Sequence, residues 1–356
     1  SKMAPKQKRK RAEKRDGWPL GAAELEFEEA VEQLLAGLTP DLRQAFVWRA
    51  TGRLGAFEAD ALQPAAVAPR ENAAEESLEA IRQALRKRVG PKAVDPDETF
   101  YFPAHLPEFE GYTAESVEHV DAFLYDEAEL DDLVEEGKLS RYYAGPAGPR
   151  DMKELNFVSH SFSVAQLRFI FSDAVAGPLA GKTLVDVGAR LGAVLWGGAL
   201  FSQAERLVGV ELSGYFAKVQ QEVIDKFKLH KRVEAMHADV LTCEPLLREA
   251  DVLVLNNVFE FFHSRQQQQQ IWTQMRQLLS KKGQRLITVP ALCVSLARAG
   301  SELDLSQWVR EVPVAQPYPS QPSLEEASVA QSAFHSEALA EQNEAFACIH
   351  VYEVLG

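Results

Sequence analysis

The sequence predicts an α/β protein whose main body is a doubly wound, mostly parallel, seven-stranded sheet, preceded by a mainly helical, acidic N-terminal region. Three observations predict it. Residues 183–211 run apolar strand, glycine turn, helical pattern, second apolar strand and terminal carboxylate: Thr183 to Val187, Gly188 to Gly192, Ala193 to Ser202, Leu207 to Val210, then Glu211. The same strand–helix alternation continues to Val289. The 356-residue chain, 46% hydrophobic and 25% charged, has ample material for a buried core.

The N-terminal arm, residues 1–17, is basic: Lys6-Gln-Lys-Arg-Lys-Arg11 dominates it, and its first sixteen residues hold eight Lys or Arg against Glu13 and Asp16. Its composition suits a solvated tail, a nuclear-import signal or a non-specific RNA contact. The chain's net charge is -14 despite that arm. A body that acidic repels nucleic-acid phosphates and attracts a basic protein segment. No apolar run approaches the roughly 20 residues of a membrane span, so a nuclear or cytoplasmic protein is expected, with no membrane partner. Cys243, Cys293 and Cys348 are far apart with no CxxC pair, which argues against a disulfide framework or a cysteine metal site.

Residues 18–143 form the expected helical region. Ala22 to Leu38 and Leu42 to Leu54 read as helices, a Pro/Ala-rich connector covers Gln63 to Arg70, and Glu75 to Val89 is a third helix. Thr99 to Pro103 reads as an edge strand or aromatic packing segment. Residues 107–137 hold twelve Asp or Glu and no Lys or Arg, interleaved with apolar residues from Val117 to Val134. That predicts an amphipathic helix with an acidic outer face: a docking surface for a basic substrate, or simply a solvated face. Ala144-Gly-Pro-Ala-Gly-Pro149 predicts a linker over 144–150, ahead of a sheet domain over 151–356.

Within that domain Ser163 is placed to cap a helix starting at Val164. Beyond Glu211 the reading gives a helix over Tyr215 to Leu229, a strand over Arg232 to Met236 ending in His237-Ala-Asp239, and a short helix over Pro245 to Glu249. A strand over Asp251 to Leu255 ends in Asn256-Asn257, a helix covers Gln266 to Ser280, and a strand covers Gln284 to Val289. After Pro290 the pattern is irregular, with a Pro/Ser-rich loop over Pro313 to Ser323. Phe346 to Leu355 reads as a last strand, inserted antiparallel beside Trp308 to Val312.

Taken together, Asp186-Val-Gly188-Ala-Arg-Leu-Gly192, Glu211, Asp239 and Asn256-Asn257-Val-Phe259 stand at four successive strand ends. In that order the chain resembles the class I S-adenosylmethionine-dependent methyltransferases, with their Rossmann-like fold, over roughly residues 155 to 356. The resemblance implies S-adenosylmethionine as donor, S-adenosylhomocysteine as product and no metal. It implies cofactor contacts at Asp186, Gly188, Ala189, Arg190, Gly192, Glu211, Leu212, Asp239, Val240 and Asn256, and a substrate-facing loop carrying Asn256, Asn257 and Phe259. The glycines let the backbone approach a ligand, and a carboxylate can hold a sugar diol in bidentate fashion. Methyl transfer depends chiefly on alignment, so a dedicated base is not required.

A nicotinamide-dependent oxidoreductase shares the acid after the glycines, but its GxGxxG fingerprint fails at Arg190. Arg190 also replaces a glycine usual in the methyltransferases, which raises the alternative of a non-catalytic scaffold or partner subunit. Ser161 to Leu167 and the strand ends that follow are similar to the non-SET protein lysine methyltransferases, from which His160 and Arg190 depart. With the acidic body, this implies transfer to a basic residue of a protein; RNA is the third expectation, through the basic arm.

Overall fold

In the computed structural model, residues 69–100, 109–145, 151–314 and 345–356 are described. The basic arm, the two helices expected before residue 55, and nearly all of the Pro/Ser-rich loop lie outside the described residues, as do 146–150 of the linker and 101–103 of the aromatic segment. The chain divides into two compact units, Ser1–Asn72 and Ala73–Gly356. Apart from Pro69 to Asn72, every described residue belongs to the second.

The first described helix, α1 (Pro69–Val89), begins inside the expected connector, because proline suits the first turn of a helix, where its missing N–H has no partner to lose. Then come β1 (Val117–Val120), α2 (Glu127–Glu135), the hairpin of β2 (Tyr142–Ala144) and β3 (Met152–Glu154), and β4 (Asn156–Ser159). The acidic stretch is therefore not one helix. Val117 and Val120 sit in a strand paired parallel with β4, and only Glu127–Glu135 is helical. Asp121 stops the strand: its side chain accepts from the N–H groups of Phe123 and Leu124, a turn that neither helix nor ladder offers.

Nor is the outer acidic face free. Glu129 accepts from Arg82 (2.9 Å) and Arg86 (2.5 Å) of α1, Glu127 and Asp131 both pair with Arg141, and Glu118 pairs with Lys92. The expected linker joins the strands of a hairpin in which Ala144 pairs with Met152. With β1 paired to β4 across it, the boundary drawn at 144–150 falls inside one compact unit.

Next come α3 (Val164–Ile170), whose Ser163 cap forms a reciprocal capping box with Gln166, then β5 (Thr183–Val187), α4 (Ala193–Phe201), β6 (Arg206–Glu211), α5 (Gly214–Phe227) and β7 (Val233–His237). They are followed by α6 (Glu244–Glu249), β8 (Val252–Asn256), α7 (Arg265–Leu278), β9 (Arg285–Val289), α8 (Leu292–Ala299), β10 (Val309–Glu311) and β11 (His350–Val354). Helix α8 replaces the irregular chain expected after Pro290. Its apolar Leu292 and Leu296, one turn apart, are buried against the sheet.

The sheet order is β10-β11-β9-β8-β5-β6-β7, with β11 antiparallel to both its neighbours and the five strands from β9 to β7 parallel. The expected doubly wound, mostly parallel, seven-stranded sheet is thus the one present. Residues alternate between its two faces: Leu184 packs toward α3 and α4, whereas Val185 and Val187 pack toward Ile271, Trp272 and Met275 of α7. From β5 the chain winds one way to β6 and β7, then returns to β8 and winds the other way. That reversal leaves a crevice at the carboxyl ends of β5 and β8, where open α/β sheets bind ligands.

Candidate functional site

A cavity of about 430 Å³ occupies that crevice. Of the residues implicated by the strand-end pattern, Gly188, Arg190, Glu211, Leu212, Asp239, Val240, Asn256, Asn257 and Phe259 line it. Asp186, Ala189 and Gly192 do not. Ala189 is buried, its N–H bonded to the carbonyl of Val210, and Gly192 is the N-cap of α4. Gly192 has φ +79, and a Cβ there would come within 2.6 Å of the Trp196 ring, so its role is to turn the chain. Gly188, at φ +71, is needed for space as well: a Cβ would meet Val258 at 2.6 Å.

Glu211 is fixed by backbone. Its two carboxylate oxygens accept from the N–H groups of Arg190 (2.7 Å) and Ser213 (2.8 Å), leaving further lone pairs toward the cavity. Burial raises its pKa, and those two hydrogen bonds work in the opposite direction. Asp186 lies just behind, 4% exposed, and among the described residues no group donates to its carboxylate. Burial, and then the charge of Glu211, hold its pKa well above the ordinary value. Asp239 takes one N–H, that of Leu241 (2.9 Å), as cap of a short turn at the end of β7. It therefore caps a turn and lines the cavity at once.

Arg190 adopts φ +48, the conformation that glycine accepts freely and that a side chain adopts at a cost. Its carbonyl is held by Gln220 (2.8 Å), and its N–H by Glu211. The guanidinium turns to the segment after α1. It pairs with Glu98 through both nitrogens (2.5 and 3.1 Å), donates to the carbonyl of Ala93, and lies 4.6 Å over the Phe216 ring. Ser213 ties the same segment by donating to Asp95 (2.5 Å). Asp95, Asp97, Glu98 and Thr99 thereby become part of the cavity wall. Sequence reasoning missed these four, which lie some 90 residues before the turn in a stretch with no periodicity. Asp95-Pro-Asp97 was their only signal.

At the β8 end the strand terminus is a polar knot. The Asn256 amide donates to the carbonyl of His160 (3.3 Å), and Asn257, at φ +47, donates through its side chain to Asn256. His160 lines the cavity and pairs with His119 through Nε2···Nδ1 at 3.2 Å. Phe100 stacks on His119 at 3.8 Å, and Phe261 and Phe262 lie against His160 at 5.6 and 6.0 Å. Burial, then the Arg190 charge, lower both histidines: His119 to about 4, and His160 well below its ordinary value. Phe259 is buried and packs edge-on to Trp272, which makes it as much core as cavity wall. No group of three or more metal-ligating side chains occurs among the described residues, and no helix among them is long and apolar enough to cross a membrane.

The fold and cavity define an open α/β sheet with a carboxylate-rimmed ligand crevice at its switch point. No family model and no curated protein matches the chain. Among solved structures it is similar to an RNA methyltransferase from Salinibacter ruber in complex with S-adenosyl-L-homocysteine, at 19% identity over 31% of this chain and 65% of that one, with a TM-score of 0.25. It is also similar to a SAM-dependent O-methyltransferase from Thermotoga maritima, at 15% identity over 63% and 81% of the two chains and a TM-score of 0.35. A methyltransferase from Geobacter sulfurreducens matches at 22% identity over 42% and 73%, with a TM-score of 0.30. The chain spans under two thirds of the length of the first of these. Likenesses this distant decide neither activity nor substrate, which rest on the chain's own residues.

Proposed function

We propose that the protein is an S-adenosylmethionine-dependent methyltransferase that acts on a basic residue of a protein substrate. The observation that carries the reading is the buried Asp186 carboxylate with no internal donor, set behind a cavity rimmed by Glu211, Asp239, Asp95, Asp97 and Glu98. Such a cavity favours a ligand that brings positive charge as well as hydrogen-bond donors. S-adenosylmethionine fits on both counts, and when bound it supplies an activated methyl group on a cationic sulfonium. In this reading Glu211 holds the ribose hydroxyls, Asp239 faces the base, and Gly188 gives the ligand room against the end of β5. Asn256 and Asn257 shape the wall where the acceptor enters. Arg190 holds the wall on the β6 side without filling the crevice, which favours the enzyme over the non-catalytic scaffold.

The acidic body, at -14 overall despite the basic arm, supports a basic protein as the acceptor over RNA. Calorimetric titration with S-adenosylmethionine and S-adenosylhomocysteine tests the donor reading. Absence of binding at millimolar ligand in folded protein sinks it. Where binding is seen, Glu211→Ala weakens it by about 1 to 3 kcal/mol, roughly 5- to 140-fold, through lost hydrogen bonds. Labelled-donor transfer into cell extract then tests the acceptor. Protease-sensitive label supports a protein, ribonuclease-sensitive label overturns it in favour of RNA, and binding without any transfer favours the scaffold.

A further inference from the structure

The proposed function gives no role to the His160–His119 pair, which stands at the β8 end of the cavity. Sheet order sets that polarity: Asp239 and Glu211 follow β7 and β6, whereas His160 is bonded to Asn256 at the end of β8. His160 is positioned three ways, by the Asn256 amide on its carbonyl, by His119 on Nε2, and by the rings of Phe100, Phe261 and Phe262. Its other ring nitrogen, Nδ1, has no partner among the described residues, and the residue lines the cavity. His119 is only half-buried, on β1 at the outer side of the pair. In this order the two imidazoles link the cavity-lining His160 to the half-buried His119, a path along which a proton can pass.

On the reading that the cavity holds the methyl donor, we propose that His160 and His119 are the proton outlet of the transfer, and that the acceptor is a neutral planar nitrogen ring of the imidazole type, such as a histidine side chain in a basic protein segment. The lone pair of one acceptor nitrogen forms the new N–C bond, and the C–S bond pair returns to sulfur. The proton on the acceptor ring's other nitrogen, acidified by methylation, passes to His160 Nδ1. The Nε2 proton of His160 passes to His119 Nδ1, and the Nε2 proton of His119 leaves to solvent.

The surroundings favour a wire that carries a proton over one that stores it. Arg190 and Lys92 both disfavour a charged imidazole here, and Glu98 and Glu118, which would favour it, are occupied with Arg190 and Lys92. The same balance argues against lysine. An ammonium of about 10.4 is a far weaker proton donor to the His160 ring, held below its ordinary value, than is a methylated imidazole, near 6.5 in its ordinary form.

The test uses the full chain, labelled S-adenosylmethionine, and two arginine-flanked peptides identical except for a central His or Lys. The His peptide is expected to be labelled on its ring. His160→Gln lowers kcat at neutral pH by about 100-fold or more, the loss expected of a missing proton acceptor, with S-adenosylhomocysteine binding within roughly threefold of the parent. With the His peptide the parent rate falls as pH drops through the acceptor imidazole's ordinary value of about 6.5 and is flat above it, whereas the variant rate keeps climbing with pH as solvent replaces the missing base. If His160→Gln loses S-adenosylhomocysteine binding, the half-buried His119→Asn carries the same readouts, alongside nitrogen-15 NMR for the shared ring proton in the parent. Preferred labelling of the Lys peptide, or no labelling of either peptide by protein that binds S-adenosylhomocysteine, overturns the proposal. A parental rate and pH profile in the variants also overturns it. Failure of the parent to bind the donor or product at all falls on the donor reading instead.

Discussion

Arg190 does two things at once, and they can be separated by substitution. Its backbone N–H holds Glu211 and survives any replacement but proline, whereas its guanidinium holds Glu98 and Ala93. Both members of the ion pair are about nine-tenths buried. Glu98→Gln therefore strands a buried guanidinium and is expected to cost about 3 kcal/mol. Arg190→Gly strands the carboxylate but relieves a left-handed backbone, so its cost is smaller by about 1 kcal/mol. The double variant is expected to fall short of the summed costs by about 2 kcal/mol in urea unfolding, and strict additivity excludes the coupling. Asp186 gives a prediction of opposite sign. Its folded pKa lies above the ordinary 3.8, so its contribution to stability is fully present below that value and is lost as pH rises through the folded value. Asp186→Asn should thus become progressively more stable relative to the parent as pH rises from about 4, while binding the cationic donor more weakly. An unchanged stability difference across pH 4 to 8 contradicts this. The turn residues were legible because Gly-x-x-x-Gly after an apolar run has few other uses. The fate of the Arg190 side chain was not, because its partner lies 92 residues away.

At the scale of elements, legibility followed burial pattern. β5 and β6 are buried on both faces and read as short, mostly apolar runs rich in valine, so their limits were visible within a residue. Ser163 was visible as a cap because its capping box is wholly local. Residues 117–124 misled because Val117, Val120 and Leu124 fall at helical spacing, while the deciding interaction, pairing with β4, is not local. Between β5 and α4 the sequence can be tested directly. Gly192→Ala forces a side chain into the left-handed region and against Trp196, whose indole N–H is itself held by the Leu191 carbonyl at 2.8 Å. Strain of this kind costs about 1 to 3 kcal/mol, and the displaced Trp196, fully buried, adds to it. Urea unfolding is expected to show a loss of at least about 2 kcal/mol at Gly192, whereas Gly283→Ala, with open space around its Cβ, pays only for its positive φ and loses about 1 kcal/mol. Equal losses at the two sites contradict the packing argument.

For the molecule as a whole, the residues between α1 and β4 are part of the sheet domain's core, although their composition marks them as separate. Leu78, Ile81 and Leu85 of α1, with Phe123, Leu124 and Leu130, are buried in one cluster with Leu167, Ile170 and Trp196. Arg82 and Arg86 add hydrogen bonds to the carbonyl groups of Phe123 and Leu124. Burying side chains of this size contributes roughly 1.5 to 3 kcal/mol each, so removing six of them costs about 9 to 18 kcal/mol, as much as the 5 to 15 kcal/mol by which a domain is usually stable. A fragment of residues 151–356, cut at the apparent linker, is therefore expected to lack a cooperative unfolding transition and to expose α3 and α4 to dye binding. A fragment of residues 69–356 is expected to unfold cooperatively. The shorter fragment also loses Glu98, leaving Arg190 buried without its carboxylate, and loses His119, leaving His160 without the partner of its Nε2. Cooperative unfolding of residues 151–356, with S-adenosylhomocysteine affinity equal to that of the full chain, would return the acidic region to the separate module that its charge suggests.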